Sequence, residues 1–207
     1  MPQLEPVILT NQNFLSDKEY FDTAFEGALS PLHAAYSVRL HDCVITSADF
    51  TGVKLIKMHA SAVTANHTSF VGTNFSECSL DSTTFTMCRL TGTIFSESNL
   101  EDCTFKDSAL NMTLFRFTSL KNVKFIGCNL LHADFLEAKM KNVTFEKCTL
   151  EETDFSHAKL TNVDLSGSTL KSIRGIASLK GAIISSEQLM SLAPALVAEL
   201  GISIKDS

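Results

Sequence analysis

From Leu40 to Leu170 almost every fifth residue is large and apolar. Of the 27 positions divisible by five in this span, 25 carry Leu, Phe, Ile or Met, and only Ala60 and Ala65 depart. The chain has 15 Phe, two Tyr and no Trp, and 11 of the Phe fall on this grid, from Phe50 and Phe70 to Phe155. Two residues before each grid site the side chain is small in 26 of 27 cases, as at Ala48, Val53, Thr73, Cys78, Thr83, Ser98, Ala133 and Val163, with Met58 the exception. A period of five fits neither standard element, since five residues turn a helix by a net of about 140° and put successive strand residues on opposite faces. A chain that bends after each pentad satisfies it, with the large residue and the small one before it both pointing inward and successive coils stacked about 4.8 Å apart. The pattern predicts an all-β solenoid.

The pentads resemble those of the pentapeptide-repeat family, in which a small residue, Asp or Asn, and Leu or Phe are followed by two polar residues. The likeness is carried by Ala48-Asp49-Phe50-Thr51-Gly52, Ala133-Asp134-Phe135, Thr153-Asp154-Phe155-Ser156-His157 and Val163-Asp164-Leu165-Ser166-Gly167. It implies a right-handed quadrilateral β-helix with four pentads per coil, so 27 pentads would make about 6.75 coils and a rod of about 32 Å. On that register residues 85, 105, 125 and 145 form one Phe column, residues 75, 95, 115, 135 and 155 form another opposite it, and Leu fills most of the remaining two. The organisation expected is an N-terminal segment 1–37 with an irregular first coil and a loop at Pro31, a β-helix over 38–174, and a C-terminal helical module over 175–207. The Ala60 and Ala65 stretch, Met58 to His67, is expected to be a thinner or distorted coil.

The same register removes most candidates for chemistry. Cys43, Cys78, Cys88, Cys103, Cys128 and Cys148 all occupy the small inward position, so they are expected to pack as small apolar residues and to remain free thiols. The six His (His33, His41, His59, His67, His132 and His157) are scattered over the sides, and only His41 and His59 could approach on adjacent coils. No metal site and no cofactor is expected. A phosphate-cradling Gly loop, a nucleophile elbow and a paired acid and base are all missing from the sequence, which points away from an enzyme. Asp49, Asn74, Asn99, Asp134, Asp154 and Asp164, just before the large residue, read as turn formers bonding to nearby backbone.

Outward positions then carry whatever function there is. Ile94 beneath Leu114, with Arg116, Phe117 and Leu136 beside them, makes an apolar patch of the kind that marks a contact surface. On another side Lys121, Lys139, Lys141 and Lys159 follow Asp81, Glu101 and Asp102. The net charge of −6 disfavours binding free nucleic acid. No basic run precedes an apolar core at the N-terminus and no stretch is apolar enough for a membrane span, so a soluble, cytoplasmic protein is expected.

Family members that shield DNA gyrase from quinolones are thought to mimic the charge of duplex DNA. Here residues 38–171 hold 15 acidic and 13 basic side chains, a net of only −2, while residues 1–37 hold five acidic and one basic. The tail Ile183 to Ile204 resembles the C-terminal module of those relatives, which pairs two rods end to end. Ser185-Ser186-Glu187-Gln188 reads as a capping box, Leu189, Leu192, Leu196 and Leu200 form one stripe, and Pro194 is expected to split the segment into two short turns. Leu196, Val197, Leu200, Ile202 and Ile204 are the expected homodimer interface. The resemblance implies a non-enzymatic dimer acting on a type II topoisomerase; the alternative is a general protein-interaction scaffold using the Phe117 patch.

Overall fold

The computed structural model describes residues 6–203 and 205. Through the body of the rod every coil takes 20 residues, as the parallel pairings Leu80↔Leu100, Phe85↔Phe105 and Leu120↔Met140 record, and four sides follow. The ends depart from this register, with Val7 paired to Phe25, Ala28 to Asp49 and Val163 to Ala182, so the first coil is irregular. Side 1 stacks Phe25, Ile45, Ala65, Phe85, Phe105, Phe125 and Phe145; side 2 runs through Phe50, Phe70, Leu90 and Leu110; side 3 through Leu55, Phe75, Phe95, Phe115, Phe135 and Phe155; side 4 through Tyr20, Leu40, Ala60, Leu80, Leu100, Leu120, Met140 and Leu160. The rod makes about nine turns. That exceeds the grid's count because Val7–Leu9, Glu19–Phe21, Ala24–Gly27 and Ala34–Tyr36 add rungs at one end and Ala182–Ile183 adds one at the other.

Inside, Phe columns on opposite sides interlock. Phe105 stacks on Phe85 and Phe125 at 4.9 and 5.0 Å, and meets Phe95 and Phe115 edge-on at 6.1 Å and about 80°, both favoured arrangements of aromatic pairs. The small inward residues have a second task beyond fitting. Thr73, Cys78, Ser98, Thr113, Thr118, Cys128, Cys148 and Thr153 each donate a side-chain hydrogen bond to the carbonyl of the core residue 23 positions earlier, at 2.6 to 3.4 Å. Cysteine therefore stands in for Ser and Thr as a small buried donor, a role that its apolar character alone does not reveal.

Between sides the chain turns through a residue with left-handed backbone, at φ of 46 to 60° for 25 non-glycine residues among those described. Gly52, Gly72 and Gly92 fill one such corner in successive coils, at φ of 69, 62 and 66°. The Met58 to His67 coil keeps the common register, His59–Ser61 and Thr64–Asn66 pairing on both edges. Its missing volume appears as a small apolar cavity of about 20 Å³ lined by Ala60, Ala65, Phe70 and Phe85, into which Met58 also packs.

The C-terminal end is closed by a 3-10 turn, Ile176–Leu179, and by helix α1, Ser186–Glu199. Pro194 does not divide α1. Its absent N–H frees the carbonyl of Met190, a residue 75% exposed, so water can serve that carbonyl and the helix continues. The capping box forms, with Ser185 Oγ accepting from Gln188 N and Gln188 Oε1 accepting from Ser185 N. Gln188 also donates through Nε2 to Leu165 O and Ser168 O at 2.7 and 2.6 Å. The bond to Leu165 again spans 23 residues, so Gln188 fills the donor slot of a coil that is never built. Replacing Gln188 with Ala removes half the box and strands two carbonyls, and should cost about 2 to 4 kcal/mol; urea unfolding of wild type and variant measures it.

Candidate functional site

Apart from the cavity of about 20 Å³ at Ala60 and Ala65, too small for more than a water, the core is filled, and binding falls to the outer sides. Side 3 brings the predicted patch together: Ile94 pairs with Leu114, and Leu114 with Asp134. Phe117 N donates to Leu136 O at 2.9 Å. Ile94, Leu114 and Leu136 are half-buried, while Phe117 is 50% exposed. Arg116 crosses to Asp134, both Nε and Nη2 lying 2.6 Å from Oδ2. Asp134 Oδ1 accepts from Leu136 N at 2.9 Å, so this buried carboxylate is used on both oxygens and ties the Arg116 guanidinium to side 3.

Phe117 sits at a corner, with φ of 58°. Left-handed backbone costs an ordinary L-residue about 1 kcal/mol, and Gly, Asn and Asp meet it most easily. A half-exposed Phe there gives the fold nothing that Asn would not. Among the left-handed corner residues only Met87, Met112 and Phe117 are large and apolar. Met112 and Phe117 bracket side 3 on the same coil, and Met112, 56% exposed, donates its N–H to Leu131 O. Met112 belongs with the patch and was missed by the sequence reading; its signal is the slot that it shares with Phe117, five residues apart.

The other predicted features fall as follows. The Asx bonds form at Asp49, Asn74, Asp134, Asp154 and Asp164, each accepting from the backbone N–H two residues on at 2.8 to 2.9 Å. Burial raises the Asp154 carboxyl, but hydrogen bonds from Ser156 and the charges of Arg174 and Arg116 outweigh it and hold Asp154 below the usual carboxylate range. His41 stacks on Phe21 and lies 3.0 Å from Glu19, and it pairs in register with Ser61 rather than with His59. Among the described residues no three metal-ligating side chains come together.

All six cysteines are buried and free. Burial pushes Cys78 and Cys103 up to about 12 and Cys88 to about 11; the contact between Cys128 and Cys148 raises the first and lowers the second, and burial shields all six from reagent. Thiolate is the reactive form. Titration of native protein at pH 8 without reductant should therefore show slow reaction, and denaturant should release six thiols; a stoichiometric disulfide would refute this.

At the C-terminal module Leu192 is buried and Leu196 and Val197 are half-buried, whereas Leu200 and Ile202 are exposed, at 70% and 54%. Ile204 lies outside the described residues. A shallow apolar groove of about 460 Å³ opens between Ile176, Leu179, Leu192, Leu196 and Leu200. The stripe thus divides: Leu192 and Leu196 face the rod, and Leu189 and Leu200 face outward.

A four-sided parallel solenoid of five-residue units, filled inside and patterned outside, defines the class of this protein. The family profile described as pentapeptide repeat region matches residues 38–115 and 109–174, and the chain belongs to the pentapeptide-repeat family. Among solved structures, HetL, a pentapeptide repeat protein involved in heterocyst differentiation regulation from the cyanobacterium Nostoc sp. Strain PCC 7120, is similar at 22% identity and a TM-score of 0.55, over 87% of this chain and 88% of that one. A trypsin-treated variant of QnrB1, a plasmid-mediated fluoroquinolone resistance protein, is similar at 13% identity and a TM-score of 0.50, over 98% of this chain and all of that one. No curated protein matches the chain.

Proposed function

We propose that this chain is a non-enzymatic binding rod whose contact surface is side 3 around Phe117, and that its partner is a type II topoisomerase, DNA gyrase, which it protects from quinolone-type inhibitors. The observation that carries the binding role is Phe117, an exposed aromatic held in left-handed backbone at one edge of side 3, with exposed Met112 at the other edge of the same coil. Rigid aromatic side chains with an adjoining Arg are what binding hot spots are made of. The choice of topoisomerase is supported by the likeness in plan to QnrB1. It is also supported by the outward Leu200 and Ile202, which a second copy of the module would bury to make an end-to-end homodimer. A second reading, a scaffold for some other protein, is favoured by the near-neutral rod.

The test is a supercoiling assay with gyrase of the source organism, with and without a quinolone, using wild type and Phe117→Ser. Wild type should raise the drug concentration needed for half inhibition, and Phe117→Ser should lose most of that effect with its melting temperature unchanged or higher. No protection at any ratio to the enzyme rejects topoisomerase and leaves the scaffold reading. Loss of melting temperature in Phe117→Ser would mean that the ring serves the fold.

A further inference from the structure

Side 4 is charged in a way that the other three sides are not. On those, acids and bases interleave, as Lys106, Asp107, Lys124, Glu146 and Lys147 do on side 1. Down side 4 the outward residues of its first half are Glu19, Asp22, Asp42, Asp81, Glu101 and Asp102 with Lys18 and Arg39 as the Lys and Arg, both at its far end, and those of its second half are Lys121, Lys139, Lys141 and Lys159 with no acid. Lys121 reaches Glu101 across the border. Among the described residues Lys139, Lys141, Lys159, Asp22, Asp42 and Asp81 enter no ion pair. Lys121 lies over Lys141 and Lys139 over Lys159, about 4.8 Å apart along the backbone, where like charges directly opposite oppose the pairing. Only Lys121 is offset within the chain, by Glu101; among the described residues no ion pair offsets Lys139 over Lys159.

We propose that side 4 is a self-complementary surface on which two copies of this chain pair antiparallel, the acidic rungs of Asp81 and Glu101 of each lying on the basic rungs of Lys121 and Lys141 of the other. A two-fold axis running along the strands, between the rungs of Glu101 and Lys121, sets Asp81 opposite Lys141 and Glu101 opposite Lys121 of the second copy, each twice, as isologous pairing requires. The surface between is made of short side chains, Ser61, Ala62, Ser79, Ser82 and Ser119, so backbones can approach closely. Asp102, Asn122, Asn142 and Asn162 tie one margin together through a ladder of side-chain hydrogen bonds at 2.9 to 3.0 Å. A long polyanion fits less well, because beyond the lysine rungs it would run onto the acids of the same side.

With the axis there, the six rungs from Ala60 to Leu160 overlap, and at about 4.8 Å each by a strand width of about 10 to 13 Å they give each copy about 290 to 370 Å². That is less than the roughly 800 Å² per partner of a stable complex. The pairing is therefore weak and governed by charge, which separates it from the apolar end-to-end dimer proposed above.

Sedimentation velocity in the Leu200→Asp, Ile202→Asp background, which removes that other contact, should detect dimer at about 20 mM salt and a dissociation constant at least about tenfold weaker at about 500 mM, where screening is short-ranged. Lys121→Glu with Lys141→Glu, and separately Asp81→Lys with Glu101→Lys, should each give monomer at low salt. An equimolar mixture of the two should dimerise again, because every pair in the mixed complex is opposite in sign. Circular dichroism melts confirm that the variants fold. Monomer at all salt concentrations in the background protein, dimer that persists in the single charge-reversed variants, or a mixture that stays monomeric overturns the proposal.

Discussion

Replacing Gly175 with Ala should cost about 3 to 5 kcal/mol and release the C-terminal module from the rod. Gly175 has φ of 72°, and a Cβ built there lies 2.3 Å from Ser156 N, 2.5 Å from Ser156 Cα and 2.7 Å from Phe155 C. These are backbone atoms and cannot step aside as a flexible side chain would. To admit the methyl group, the last turn must lift, losing the bond from Phe155 N to Arg174 O at 3.0 Å and the Asp154–Arg174 bridge. The left-handed backbone adds about 1 kcal/mol, and the remainder is overlap and lost rung. Gly72 is the internal control. It has φ of 62° and nothing within 4 Å of its virtual Cβ, so Gly72→Ala should cost only about 1 kcal/mol. Hydrogen exchange should show lost protection after residue 174 in Gly175→Ala and little change in Gly72→Ala. Equal costs for the two would mean that the contact is not the cause.

Phe115→Ala should be among the most damaging core substitutions, at about 3 to 5 kcal/mol. Its ring is fully buried, stacks on Phe95 at 5.3 Å and Phe135 at 4.9 Å, and meets Phe105 and Phe125 edge-on at 6.1 and 5.8 Å. Truncation leaves a void touching four aromatic rings, and the backbone ladder on side 3 prevents collapse around it. For a chain of this size each kcal/mol is worth about 2 to 4 °C, so the melting temperature should drop by roughly 10 °C. In a solenoid each coil touches only its neighbours, so a gap at the middle can also broaden the transition by uncoupling the two halves. A loss below about 1.5 kcal/mol would show that the neighbouring rings repack.

The sequence carried the core openly. The grid named the inward residues of every coil from Leu40 to Leu170, because a bent coil with one register leaves no other way to bury Phe at intervals of five. The Ala60 and Ala65 coil was misjudged: a main-chain ladder shared with both neighbours holds the coil in shape, and the deficit becomes a cavity. Corner conformation was not legible, since Asp, Ser, Lys, His, Glu, Met and Phe all occupy it and the fold imposes it regardless of type. Met112 was overlooked for that reason. Gln188 could be read as a capping-box partner but not as a lid on Leu165 and Ser168, because that role depends on where the helix lands. Pro194 does not break the helix because the carbonyl it leaves without an N–H partner belongs to Met190, on the exposed face, where water is at hand.

The fixed 20-residue register also governs how such a chain can change length. Removing residues 76–95 joins Phe75 to Ser96 with every column intact, and shortens the rod by about 4.8 Å. Removing five residues instead rotates all that follows by one side, laying Phe columns on Leu columns and carrying the lysines of side 4 around to side 3. Viable insertions and deletions are therefore quantised in whole coils, and descent by coil duplication or loss would vary the spacing between the Phe117 patch and the C-terminal module in steps of one rung while leaving each side's identity unchanged.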